Sequence, residues 1–133
     1  MLLVDGRGLP LAADIDSASR HEVKLIERLL EKMTLKNRQP ARLVYDKAAD
    51  SDPLRRRLAA ANIDLICPHK KNRVKRATQD GRKLRRYRRR WKIERSIAWL
   101  HNFRRLITRW EYHAQLFEGF LQLACLFTIL RTF

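Results

Sequence analysis

A block of like charge between Lys70 and Arg109 limits what this chain can fold into more than any other feature. These 40 residues hold 17 lysines and arginines but only two acids, Asp80 and Glu94, so their net charge is +15. The rest of the chain sums to +1. Such a block favours a polyphosphate partner, because binding releases the counterions condensed on the polyanion. The alternative is a solvated basic face that has no partner.

The remaining composition is that of a folded domain. Hydrophobic residues make up 45% of the 133 residues, which excludes a disordered basic tail and allows one domain with a modest core. Cys67 and Cys125 are isolated thiols without CxxC spacing, so they indicate neither a zinc site nor a disulfide framework and fit a reducing compartment. The uncharged run from Gly119 to Leu130 is too short to span a bilayer and predicts a core helix.

The first half of the chain alternates strand and helix signals. Asp5-Gly6 between two apolar runs predicts a β-hairpin. Ser19 and Glu22 form a capping-box pattern that predicts a first helix, and a second helix is predicted with Asp52 as its N-cap. The short apolar runs "ARLVYD" and "IDLICP" flank that second helix and predict a parallel strand pair. The order of these signals predicts an α/β fold.

From about residue 82 to about residue 102 the pattern predicts one helix, which carries the lone acid of this basic run. One face of this helix holds residues at spacings of three and four: Tyr87, Arg90, Glu94, Ala98 and His101. Apolar neighbours flank this stripe, so a glutamate in it is either paired or functional. An ion pair with Arg90 is one interpretation of Glu94, and a catalytic carboxylate among phosphate-binding groups is the other.

Asp46 ends the first of the two short apolar runs, and ligands of α/β proteins gather beyond the carboxyl ends of strands. Asp50 and Asp52 follow closely in sequence. A plain turn or cap residue is the alternative interpretation of Asp46. If Asp46 and Glu94 converge, their carboxylates form a hard oxygen site for Mg²⁺ or Mn²⁺. Pairs of such metals promote phosphodiester chemistry, which normally takes more than two carboxylates.

Three segments, in order, resemble the C-terminal part of DDE transposases from bacterial insertion sequences, and the likeness covers essentially the whole chain. "LLVDGRGLPLAADIDSASRHEVKLIERLL" is similar to the family segment that follows the first catalytic strand. "LVYDKAADSDPLRRRLAAANIDLICPHKKNR" resembles the stretch around the second catalytic aspartate. "YRRRWKIERSIAWLHNFRRL" resembles the signature Y-x2-R-x3-E-x6-K around the catalytic glutamate.

The resemblance implies a truncated RNase H-like α/β fold. Its mixed sheet would consist of the β-hairpin and two further strands, flanked by helices and followed by a C-terminal helical region. Residues 1–133 would form a single partial catalytic domain that lacks the first catalytic strand and its aspartate. Asp5 is not a substitute, because it lies in the hairpin turn. The chain is therefore expected to be inactive alone or to need fusion to an upstream reading frame.

The resemblance also implies roles for individual residues. Carried over by position, Asp46 and Glu94 are the second and third metal-binding catalytic carboxylates. Tyr87 and Arg90 match the signature and are expected to organise the site and to hold DNA phosphates. His101 stands where the signature has lysine, and it is expected to contact DNA. Further DNA contacts are expected from nearby basic residues: Lys70, Lys71, Arg73 and Arg95.

The implied reaction is Mg²⁺- or Mn²⁺-dependent cleavage and transfer of DNA strands at the ends of an insertion sequence. The implied partners are the element ends, the target DNA, and either a second copy of the chain or an N-terminal transposase portion that supplies the first aspartate. No membrane partner is expected, and the expected location is the bacterial cytoplasm, at the nucleoid. Two alternatives stay open: a non-catalytic basic nucleic-acid-binding module, and a decayed fragment without a stable fold.

Overall fold

The computed structural model describes residues 1–17, 19–33, 35, 38–78 and 81–132. In chain order the elements are β1 (Leu2–Val4), β2 (Pro10–Ala13), α1 (Glu22–Glu31), β3 (Arg42–Val44), a 3₁₀ turn (Lys47–Ala49), α2 (Asp52–Ala60), β4 (Asp64–Ile66), α3 (Gly81–Leu84), a 3₁₀ segment (Arg85–Arg90), α4 (Trp91–Leu100), α5 (Arg104–Ile107) and α6 (Ala114–Leu130). The chain folds into two compact units. Unit 1 consists of Met1–Thr34 and Trp91–Phe133, and unit 2 consists of Leu35–Arg90.

The β-hairpin of unit 1 is confirmed, with β1 antiparallel to β2. Leu3 lies opposite Ala12, and both side chains are buried. A shift in register follows Leu3, where the strands bend into the turn. The Asp5 carboxylate closes this turn, because its Oδ1 accepts hydrogen bonds of 2.8 Å from the backbone N–H groups of Arg7 and Leu9.

Helix α1 begins two residues later than the capping-box pattern predicts. Its N-cap is His21, whose side chain makes no capping hydrogen bond. The prediction of Ser19 as N-cap is wrong because Ser19 takes part in a local turn, where its hydroxyl lies 2.8 Å from the hydroxyl of Ser17. The buried apolar face of α1 and its C-terminal end consists of Leu25, Ile26, Leu29 and Met33.

In unit 1, helices from the C-terminal part of the chain cover the hairpin, with α6 packed on β2 and α4 packed on β1. Leu100, Ala124 and Cys125 form a small core there. The predicted core helix is confirmed only in part, because α6 buries Ala124, Cys125 and Thr128 but leaves many large apolar side chains exposed. Nowhere in the described residues is a helix both long enough and apolar enough to span a membrane.

Unit 2 contains the predicted parallel pair, in which Leu43 of β3 lies opposite Leu65 of β4. The helix between these strands, α2, packs against β4 and fully buries Leu54. The prediction of Asp52 as N-cap is wrong. Ser51 has the extended backbone of a cap and accepts a hydrogen bond from the Leu54 N–H, whereas Asp52 is the first residue of the helix.

The described strands form two separate two-stranded sheets, β1–β2 and β3–β4. The single mixed sheet implied by the resemblance is thus corrected to two small sheets, while the α/β class is confirmed. Each pair meets helices of its own unit, since α4 and α6 pack on the hairpin and α2 packs on β4. Each pair therefore buries its apolar residues against helices of its own unit. The RNase H-like topology stays a prediction.

The single helix predicted from residue 82 to residue 102 is also corrected. The chain instead forms α3, the 3₁₀ segment and then α4. In the 3₁₀ segment, residues three apart eclipse each other, and the Arg90 guanidinium lies 5.8 Å from the centre of the Tyr87 ring. An α-helix would bring Arg85 beside Arg89, and like charges at that spacing are destabilising. The stripe from Tyr87 to His101 therefore does not lie on one α-helix.

Candidate functional site

The helix that carries Glu94, α4, is fixed to the hairpin turn by backbone contacts. The Ser96 side chain is fully buried, and its hydroxyl lies 2.5 Å from the carbonyl oxygen of Gly8. The Lys92 ammonium donates to the carbonyl oxygen of Gly6. Because hydrogen bonds from charged donors are stronger than neutral ones, these contacts give α4 a defined position on the turn.

Arg95 belongs to the same attachment of α4. Its guanidinium donates to the carbonyl oxygen of Arg7. The same group lies 4.8 Å from the ring centre of Trp91 and 4.7 Å from that of Trp99. Contacts of this kind between a guanidinium and aromatic faces are attractive. Arg95, expected from the resemblance to contact DNA, therefore makes internal contacts that hold the turn against α4.

Glu94 itself lies on the exposed side of α4. The buried positions of this helix are Ser96 and Leu100, and Glu94 and Ala98 are both open to solvent. Trp91, three residues before Glu94 on α4, is exposed as well, so the burial implied by the apolar neighbours of this stripe is not found. Glu94 therefore lies at the protein surface and is not enclosed by the apolar side of α4.

Asp46 lies just past the carboxyl end of β3, where the sequence places a candidate ligand. The Tyr45 N–H still pairs with the Ile66 carbonyl oxygen, so Asp46 is the first residue beyond the parallel pair. Its Oδ1 accepts a 2.8 Å hydrogen bond from the Ala48 N–H and caps the 3₁₀ turn. Its Oδ2 makes no hydrogen bond to a described residue. Asp46 thus has a capping role and retains one carboxylate oxygen for a ligand.

Among the described acids of unit 2, Asp50 has the most hydrogen-bond partners, and its side chain is only 2% exposed. Its Oδ2 accepts from the backbone N–H of Lys70 at 2.9 Å, and its Oδ1 lies 2.8 Å from Nδ1 of His69. The same Oδ1 lies 3.1 Å from the Arg55 guanidinium and 3.4 Å from that of Arg73. Burial alone raises the pKa of Asp50, but the hydrogen bonds from Lys70, His69 and Arg55 outweigh it and lower the pKa to about 2.

The basic loop (residues 69–78) is tied to this acid. Arg73 reaches Asp50 and also donates to Asp52 at 2.8 Å, and its side chain is only 12% exposed. The same guanidinium donates to the carbonyl oxygen of Arg76 at 3.2 Å. The Thr78 N–H donates to Nε2 of His69 at 3.1 Å, so the His69 Nδ1 carries the proton and donates to Asp50.

Asp50 and Arg55 were missed as site residues in the sequence. Besides its ion pair with Asp50, the Arg55 guanidinium donates to the carbonyl oxygens of Leu65 and Cys67, each at 3.1 Å. It also lies 2.9 Å from the Cys67 sulfur, and burial raises the pKa of that thiol. The five-residue spacing of Asp50 and Arg55 was the only available signal. The other partners of these two side chains lie 10 to 23 residues away along the chain.

The predicted site residues fall into both units. In unit 2, Lys70 and Lys71 are exposed, Arg73 is largely buried, and Tyr87 is half-buried beside Arg90. In unit 1, Glu94 and His101 are exposed and Arg95 is half-buried. The convergence of Asp46 with Glu94 stays a prediction. Within the described residues, no group of three or more His, Cys, Asp or Glu side chains is placed to hold a metal ion.

Comparison with known proteins gives the family. The chain matches the family described as "Transposase DDE domain" over residues 1–129. It is 35% identical over 131 residues to the "Putative transposase for insertion sequence element IS402" of Burkholderia cepacia. That match covers 93% of this chain but 58% of the relative, so the chain spans little more than half of the relative's length. No solved structure gives a significant match. Because the family match extends over nearly every residue, the chain belongs to the DDE-domain transposases.

Proposed function

We propose that this chain is part of a transposase catalytic domain that cuts and transfers the DNA strands of an insertion sequence. The observation that carries the proposal is the family match, which includes both candidate carboxylates and the whole basic block. In the reaction, water or a 3′-hydroxyl attacks a backbone phosphate in line. A new P–O bond forms as the bond to the leaving sugar oxygen breaks, and the proton of the nucleophile passes to water.

Asp46 and Glu94 are the proposed ligands of Mg²⁺ or Mn²⁺. Carboxylate oxygens suit these hard cations, and Mg²⁺ sites often combine one or two carboxylates with phosphates of the substrate. The fit rests on Oδ2 of Asp46, which has no hydrogen bond to a described residue, and on the solvent exposure of Glu94. When bound, such metals activate the attacking oxygen and stabilise the leaving one.

The basic residues are the proposed contacts to DNA. Lys70, Lys71 and His101 are exposed, and Arg90 next to Tyr87 matches the family signature. Lysine and arginine contacts to backbone phosphates carry no sequence information, so they supply affinity and position without selecting a site. The substrate under this proposal is the DNA of a bacterial element, which places the protein in the cytoplasm, at the nucleoid.

A third acid completes the proposed metal site, because two-metal phosphodiester chemistry normally uses more than two carboxylates. We assign it to an N-terminal transposase portion. The activity of the whole enzyme then depends on this partner. Under this assignment the 133-residue chain binds DNA and positions it, and the chain alone does not cut.

We expect the purified chain to bind a mixed-sequence DNA duplex without nicking it. Each phosphate contact should contribute about 0.9 to the slope of log Kd against log salt concentration. A fluorescence-anisotropy titration over a series of salt concentrations measures this slope, and a supercoiled plasmid incubated with Mg²⁺ or Mn²⁺ reports nicking. Failure to bind the duplex would contradict the proposal. Nicking that Glu94→Gln abolishes would place the third acid within the chain.

We expect Asp46→Asn and Glu94→Gln each to weaken Mn²⁺ binding by the chain on duplex DNA at least about tenfold, because site affinity follows the charge of its ligands. Asparagine retains the side-chain carbonyl that accepts from the Ala48 N–H, so Asp46→Asn separates metal binding from capping. Electron paramagnetic resonance of free Mn²⁺ measures the change. Asp64→Asn is the matched control, since Asp64 pairs with Lys83 outside the candidate site.

A basic nucleic-acid-binding module without catalysis is the second candidate function. The capping hydrogen bond of Asp46 favours this candidate. Capping alone accounts for an aspartate at this position, without a role in metal binding. This candidate predicts that Asp46→Asn and Glu94→Gln leave Mn²⁺ binding at the level of the Asp64→Asn control. DNA binding alone does not separate the two functions, so the metal titration decides between them.

A further inference from the structure

We propose that the basic loop is a preformed cradle for the phosphate backbone of duplex DNA, and that Asp50, His69 and Arg73 are positioning residues that hold its shape. The inference rests on the proposed function and deepens it. It assigns phosphate contacts to Lys75 and Arg76 as well as to Lys70 and Lys71. It also changes the role of Arg73, which acts through the loop instead of touching DNA.

The backbone of the basic loop is fixed at several points. At its start, the Lys70 N–H donates to Asp50 at 2.9 Å. Near its end, the Thr78 N–H donates to His69 at 3.1 Å. Between these points, Arg73 donates to the carbonyl oxygens of Lys75 at 3.1 Å and Arg76 at 3.2 Å. Hydrogen bonds to the largely buried side chains of Asp50, His69 and Arg73 thus define the backbone path of this loop, which contains no helix or strand.

The cations of the basic loop divide into two groups. Arg73 is neutralised, since it pairs with Asp50 and Asp52 and is only 12% exposed. Four others are exposed and show no ion pair with a described residue: Lys70, Lys71, Lys75 and Arg76. Three of these four belong to residues whose backbone is fixed by the Asp50 and Arg73 hydrogen bonds. The fixed path therefore sets the spacing of exposed positive charges.

The hydrogen bonds to the loop backbone hold the loop cations near one another despite their electrostatic repulsion. A charged segment without anchors extends, because extension separates like charges. Here Asp50 and Arg73 hold the exposed cations close together, and a bound polyphosphate relieves their repulsion with release of counterions. Backbone phosphates of DNA fit this surface, because lysine and arginine side chains bind them without reading the base sequence.

The decisive variant is Arg73→Lys, which leaves the net charge unchanged. Lysine lacks the planar fork that reaches Asp50, Asp52 and the loop carbonyls together. We expect about a tenfold loss of affinity for a mixed-sequence duplex and a smaller salt slope, because fewer phosphates are held at once. Arg56→Lys is the matched control, since Arg56 is an exposed arginine of α2, and we expect its affinity to equal that of the unaltered chain.

A second pair of variants tests the contacts themselves. Lys71→Ala with Lys75→Ala removes two exposed loop charges, and we expect the salt slope to fall by about two. Lys24→Ala with Arg131→Ala removes two exposed charges of unit 1 and should change the slope by less than half as much. Circular dichroism melts check the fold of each variant. If Arg73→Lys does not fold, the exposed loop pair decides the question.

The outcomes separate the inference from the proposed function. A chain that fails to bind the duplex at all overturns the proposed function. A chain that binds, but in which Arg73→Lys matches Arg56→Lys and the loop pair matches the unit 1 pair, overturns the inference and leaves the proposed function standing. Loss of affinity in Arg73→Lys with an unchanged melt, together with a smaller salt slope in the loop pair, supports a positioning role, because Arg73 is largely buried and the exposed cations make the contacts.

Discussion

Replacing Gly8 with alanine is expected to lower the free energy of unfolding of unit 1 by about 2–4 kcal/mol. Gly8 has a φ of +92°, a backbone conformation that side chains disfavour. A Cβ there would lie 3.0 Å from the Ser96 hydroxyl and 3.1 Å from the Arg95 guanidinium. Both penalties act at the point where the hairpin turn meets α4. Urea unfolding followed by circular dichroism measures the loss.

Gly6 provides the matched control for this experiment, because it lies in the same turn without either constraint. Apart from its own chain neighbours, no described residue comes within 4 Å of a Cβ built on Gly6, and its φ is not positive. Gly6→Ala should therefore be neutral or stabilise by up to about 1 kcal/mol. Adding Ser96→Ala to Gly8→Ala should recover part of the loss, since it removes the nearest atom but not the backbone strain. Equal stability of Gly6→Ala and Gly8→Ala would contradict this account of the turn.

Local signals in the sequence predict much of this fold. The hairpin around Asp5-Gly6 and the parallel pair flanking α2 are all present. Each depends on residues close together in the chain, such as the Asp5 carboxylate that closes its own turn. The position of Asp46 just beyond β3 is confirmed for the same reason, because a strand followed by a capped turn is a local pattern.

The remaining features depend on contacts between distant residues, for which a single sequence gives no signal. The sequence does not show that Gly8, and not Gly6, has the positive φ, nor that its carbonyl oxygen contacts Ser96, 88 residues away. The role of Asp50 follows from partners up to 23 residues distant. The sequence also did not predict the 3₁₀ segment between α3 and α4. Helical periodicity depends only on the spacing of residues and does not include the electrostatic repulsion between closely spaced arginines.

Asp50→Ala is expected to destabilise unit 2 by about 3–5 kcal/mol, the range for removal of one partner from a buried ionic network. The variant leaves the guanidinium groups of Arg55 and Arg73, each only 12% exposed, without their shared acid. It also leaves the Lys70 N–H without its acceptor. Asp52→Ala is the matched control, since Asp52 is 25% exposed and its pair with Arg73 is screened by solvent, so a much smaller loss is expected.

The same carboxylate gives unit 2 a defined response to acid. The pKa of Asp50 is about 2 in the folded chain, against an ordinary value of 3.8. A lowered pKa stabilises the fold above the ordinary value, and this stabilisation, about 2 kcal/mol, is lost as the pH falls from near 4 through 2. Urea unfolding of the unaltered chain and of Asp50→Asn across that range measures the difference. Other acids, such as Asp14, titrate in both proteins alike, so the Asp50 contribution appears as a gap in stability that closes toward pH 2. A gap of constant size over this range would mean that Asp50 is not held as a carboxylate by its neighbours.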